Sequence, residues 1–148
     1  MIREPIYEAA LKQLRRLNGP PYNMDIPVIS RDFKHWADSP EQPCVFLVEE
    51  TETSESTRGL PIKWSLLCTV WVYAKKDGDV LGITKVNELL DLVEAILSPQ
   101  SIPAPAGNFS NTLGGLVDRC SVHGPTVKSG GYLGDQSVAA MPLQIILA

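Results

Sequence analysis

The chain has 148 residues, 44% of them hydrophobic and 20% charged, a balance that suits one globular domain and excludes a disordered chain. Its net charge of -4 argues against a nucleic-acid binder that neutralises phosphates, and a solvated helix face accounts for the basic pair Arg15-Arg16. No apolar run is long enough for a membrane span and the N-terminus has no signal-peptide pattern, so synthesis and retention in a cytosol are expected, with no membrane partner. Three cysteines without close spacing, Cys44, Cys68 and Cys120, disfavour a disulfide framework and read as small buried hydrophobes.

The first element is a helix from Glu4 to Leu17. Ile6, Ala10, Leu14 and Leu17 recur at helical spacing, Pro5 suits the first turn, and Asn18-Gly19-Pro20-Pro21 stops it. The segment that follows, through Val28-Ile29 and Arg31 to Trp36, is weakly patterned and broken by prolines. It reads as a connection with one short strand or turn. Cys44–Glu50 is a strand apolar enough to be buried on both faces. Thr51–Gly59 reads as a polar hairpin tip. From Ile62 to Ala74 a second strand alternates Trp64, Leu66, Cys68, Val70 and Val72 with a face bearing Trp71 and Tyr73, so that face too is expected to be covered.

A second helix is expected from an N-cap at Thr84 to about Leu97, with Val86, Leu90, Val93 and Leu97 on its apolar stripe. The proline-rich stretch 99–107 reads as a surface loop. Two further strands joined by a glycine-rich loop then run to the end of the chain. In the last, Ala139, Met141, Leu143, Ile145 and Leu147 share one side at period two. Pro142 inside that strand marks it as an edge strand or a bulge. The expected fold is α+β: one domain over 1–148, an antiparallel or mixed sheet with two main helices packed on it, in the order α-β-β-α-β-β.

Chemical signatures are sparse. Cys120 and His123 form a Cys-x-x-His fragment, but no second pair completes a zinc site, and residues three apart on a strand point to opposite faces. Gly114-Gly115 and Lys128-Ser129-Gly130-Gly131 do not match a phosphate-loop spacing. Asp118 reads either as an inward charge paired with an arginine or as a strand-end residue in water. No catalytic residue, metal ligand or cofactor site is expected.

The stretches Asn111-Thr112-Leu113-Gly114-Gly115-Leu116-Val117 with Arg119-Cys120, Leu133-Gly134-Asp135-Gln136, and Ala139-Ala140-Met141-Pro142-Leu143-Gln144-Ile145 resemble the tail-terminator (tail-completion) proteins of long-tailed bacteriophages. The resemblance spans most of the chain, and its motifs are structural rather than chemical. It implies a virion protein of the tail or neck, made in the host cytoplasm and acting without catalysis. Copies would form a ring, commonly a hexamer, that caps the tail tube, ends its polymerisation and presents the surface to which the head joins. Implied partners are further copies of the chain, the tail tube protein and the head-completion or connector protein, with DNA passing through the lumen without specific binding. Candidate tube or connector contacts are Glu52, Glu55, Arg58, Lys128 and Tyr132; candidate subunit contacts are Ile6, Leu14, Met141, Leu143 and Ile145. Another head–tail joining protein of the phage neck is the nearest alternative. A small Cys/His hydrolase using Cys120 and His123, or a metabolite-binding domain, are readings from other classes.

Overall fold

A computed structural model of the chain describes residues 1–98, 111–133 and 135–147, with the side chains of 131–133 outside that description. The proline-rich stretch expected as a surface loop lies outside the described residues. The fold is α+β: two helices pack on one face of a six-stranded, mostly antiparallel sheet.

Helix α1 covers Arg3–Leu14 and tightens into a 3-10 turn over Arg15–Asn18, so the apolar stripe runs on to Leu17 although the α-helix stops three residues earlier. Ile6, Tyr7, Ala10, Leu11, Leu14 and Leu17 are all buried. Helix α2 covers Gly82–Leu97, starting two residues before Thr84, with Leu81 in place of a side-chain cap. Its stripe of Val86, Leu89, Leu90, Val93, Ile96 and Leu97 closes on the same core.

The strands are β1 Val28–Ser30, β2 Cys44–Glu55, β3 Lys63–Lys75, β4 Arg119–Val122, β5 Val127–Leu133 and β6 Gln136–Ile146. The sheet runs β1-β2-β3-β6-β4, and β5 also pairs with β6. The element order therefore exceeds the expected one by two short strands. Tiny β1 pairs parallel with the start of β2, and β4 and β5 divide what reads as one strand and part of a glycine-rich loop.

Pro142 explains that division. β6 is not an edge strand: it pairs with β3 along its whole length, and its other side meets β4 at residues 143–146 and β5 at residues 136–140. Pro142, which cannot donate to a ladder, falls in the gap between the two neighbours. There its carbonyl accepts from the His123 amide at 3.0 Å. The interruption belongs to the adjacent chain segment, where Gly124 takes a φ of 91° beside the proline ring.

The outer side of β2 is covered by β1 only as far as Phe46. Past that point a bulge between Glu49 and Thr51 puts both Glu49, opposite Cys68, and Glu52, opposite Leu66, on the helix side of the sheet. Bulge and glutamates together blunt an edge that would otherwise accept another strand. The glutamates are held in place. Arg31, just past β1, donates to Glu4 at 2.9 and 3.0 Å, to Glu8 at 2.6 Å and to Glu49, while Arg3 reaches Glu52 at 2.7 Å. The Arg31 hydrogen bond holds the Glu4 carboxyl below its ordinary value of 4.5, so this contact is intact at neutral pH and is lost as acid titrates the carboxylate.

Candidate functional site

The helix face of the sheet is closed, and the opposite face is not. On that far side Cys44, Phe46, Tyr73 and Val138 form a small second core. It is roofed by the segment between β1 and β2: Phe33 packs at 5.6 Å from the Phe46 ring and 5.2 Å from Trp71, and Trp36 meets Tyr73 edge-on. The roof is pinned by a reciprocal amide pair, Gln42 with Gln136, at 2.8 and 2.9 Å, and by the Tyr73 hydroxyl donating to the Lys34 carbonyl at 2.8 Å.

Beyond the roof the face lies open among the described residues. A predominantly apolar hollow of about 520 Å³ is lined by Trp36, Trp71, Pro125, Val127, Ala140 and Pro142, with Lys128 at its β5 side. The covering expected for this face thus reaches Trp71 on one side only, through Phe33, and leaves that ring half-buried. The sequence signal for the hollow is the run of apolar residues on the second face of β3 and β6; Trp36 and Pro125, from irregular segments, carry no such signal.

The candidate tube or connector contacts do not form one cluster. Glu52 and Glu55 are in strand β2 and not in a flexible tip, because the hairpin stays paired to Glu55 opposite Lys63. Glu52 is engaged by Arg3 and by the Tyr7 hydroxyl at 3.2 Å, whereas Glu55 and Arg58 are exposed. Lys128 and Tyr132 belong to β5, across the sheet. Lys128 aligns through Ala139 and Val72 with Val45, ten positions along β2 from Glu55, or roughly 33 Å at the rise of a strand. Lys128 donates to Asn87 at 2.9 Å.

The candidate subunit contacts are corrected outright. Ile6, Leu14, Met141, Leu143 and Ile145 are all at most 4% exposed and belong to the core between sheet and helices. Their period-two and helical stripes are covered from within the chain, so they have no surface to offer a neighbour.

The structure does not bring Cys120 and His123 together. Cys120 faces the helix-side core, while His123 is exposed on the far side near Ser65, Leu67 and Gln144. Burial pushes the Cys120 thiol up to about 12 and the Cys44 thiol to about 11, and raises Cys68 as well. All three cysteines are free and buried. The expected result is that the folded protein resists a maleimide at pH 8 and that all three thiols react at once on unfolding in urea; fast labelling of one cysteine in the native state would contradict the burial. Asp118 is exposed in the bend before β4, in agreement with its reading as a residue in water.

No family model and no curated protein matches the chain. Among the described residues no group of three or more His, Cys, Asp or Glu side chains is arranged to hold a metal ion, and no helix is long and apolar enough to cross a membrane. Among the described residues the surface offers an open apolar face and a projecting hairpin. The hairpin extends past the end of β6, whose last pairing is Ile146 with Ser65, and ends in a turn that exposes Leu60 and Ile62 by 66% and 52%.

Proposed function

We propose that this chain is an assembly protein that works as a ring, and that its role is the one its sequence resembles, terminating the tail tube of a long-tailed phage. The observation that carries the reading is the open sheet face around Trp71, Ala140 and Pro142, an apolar surface that its own helices do not reach. Single exposed apolar residues need no explanation, but a contiguous apolar hollow, with an exposed apolar hairpin end elsewhere on the same molecule, is the kind of surface that another protein covers. For a homo-oligomer, closed cyclic symmetry is the usual way to cover every such surface at once.

In this reading the ring binds the growing end of the tail tube by surface complementarity, blocks further addition of tube subunits and offers its other rim to the head connector. The net charge of -4 suits a lumen that lets DNA pass without holding its phosphates.

The test is the solution mass by light scattering across a concentration series, with negative-stain images taken with and without purified tail tubes. A ring of about six copies, in solution or on tube ends, is the expected result. A chain that stays monomeric and leaves tube ends bare would remove the reading, and binding to head connectors instead of tubes would move it to a neck protein.

A further inference from the structure

We propose that the β2–β3 hairpin of one copy seats Leu60 and Ile62 in the Trp36–Trp71 hollow of the next copy. The proposal rests on the ring reading for its demand that copies meet head to tail.

The two surfaces answer each other in chemistry. The hollow is an apolar concavity with little polar lining, and the hairpin end is a narrow apolar projection with two branched side chains largely in water. Each alone would be a liability; together they account for one another. They cannot meet within one copy. The hairpin projects beyond the Ser65–Ile146 end of the sheet, while the hollow sits at Thr69, Trp71 and Ala140, several residues back along the same strands on the far face. The contact is therefore between different patches of two copies, a heterologous arrangement that closes into a ring when its rotation allows.

Charge sets the orientation. In the hairpin Glu55 stands directly across from Lys63, and Arg58 is the charged residue of the turn between them, with no ion pair among the described residues. At the hollow, Trp36 belongs to the turn Trp36–Asp38 within an acidic segment. Asp32 there lies 4.0 Å from Lys34, whereas Asp38 and Glu41, both exposed, make no ion pair among the described residues. With Leu60 and Ile62 in the hollow and the hairpin running past Trp36 toward the roof, Arg58 reaches Asp38 and Glu41, which line a neighbouring hollow with Pro40 and Phe46. Such a pair at the rim of an apolar contact favours one register and speeds encounter more than it adds affinity. The assignment moves Arg58 from a tube or connector contact to the boundary between copies.

Two experiments test it. Ile62→Cys protein mixed with Val127→Cys protein is oxidised, alongside a control mixture of Val80→Cys with Val127→Cys; all three positions are exposed, so folding is not at stake. A disulfide-linked dimer in the first mixture and not in the control is expected. Separately, Arg58→Glu should weaken self-association about tenfold at low salt, and adding Asp38→Lys and Glu41→Lys in the same chain should restore it. No selective cross-link, or no effect of the charge reversal, overturns the contact. If rings are still seen by mass, the ring reading survives that failure. Cross-linking by a protein that never caps tubes would keep the contact and remove the terminator role.

Discussion

Leu143→Ala is expected to lower the unfolding free energy by about 2–5 kcal/mol, and to do so in the monomer. Leu143 is fully buried, stands in β6 opposite Cys68 of β3 and Val122 of β4, and belongs to the core under both helices. Truncation removes its transfer free energy and leaves a cavity that strands paired on both sides cannot close. A urea titration followed by tryptophan fluorescence, at a concentration where the chain is monomeric, reads the change as a lower midpoint at nearly constant slope. The resemblance puts this residue on a subunit boundary, and this measurement separates the two roles. An unchanged midpoint together with loss of assembly would return Leu143 to the surface.

That reassignment shows what a periodic stripe can and cannot say. Ala139, Met141, Leu143 and Ile145 alternate cleanly enough to predict both a strand and a covered face. What covers the face is a matter of tertiary arrangement, and here α2 lies over it within a core that α1 completes. The same limit runs the other way on the far side of the sheet. Trp71 and Tyr73 read as a second covered face, yet the cover comes from an irregular segment whose key residues, Phe33, Trp36 and Gln42, follow no period. It covers Tyr73 and one side of Trp71, and its Trp36 borders the hollow without filling it.

Local chemistry is ambiguous where one residue type serves two structures. The Thr and Glu run after Val48 lacks apolar alternation because that part of β2 is an edge beyond the core, and an edge strand in water looks like a loop. The glycines at 130 and 131 likewise suggest a loop but lie in β5, where an ideal Cβ on Gly130 would come within 3.0 Å of Ile83. Pro142 was half legible. It required an interrupted ladder, and the interruption is supplied by the neighbouring segment while β6 itself runs through the middle of the sheet.

In the stretch beginning Asn111-Thr112-Leu113-Gly114-Gly115 the first residue joins three elements. The Asn111 side chain exchanges amide hydrogen bonds with Gln13 of α1, at 3.1 and 2.6 Å, donates to the Leu97 carbonyl at the end of α2 at 3.2 Å, and accepts from the Leu113 amide at 3.1 Å. Its backbone carbonyl accepts from Cys120 of β4 at 2.8 Å. The turn that follows depends on left-handed backbone at Leu113, Gly114 and Gly115, with φ of 50°, 75° and 91°, and it drops Leu113 into the core. Asn111→Ala keeps the backbone contact and strips the rest. Gln13, the Leu97 carbonyl and the Leu113 amide lose their partner together, at an expected cost of about 2–3 kcal/mol, since a part-buried site lets water repay some of the loss. Asn111→Asp should fall between, keeping an acceptor for Leu113 while setting a carboxylate oxygen against the Gln13 and Leu97 oxygens. Because Gln13 and Asn111 serve each other, adding Gln13→Ala to Asn111→Ala should cost less than the sum of the two single changes. Strictly additive urea midpoints would mean that the amide pair contributes nothing, and that the connection between α1 and β4 rests on apolar packing alone.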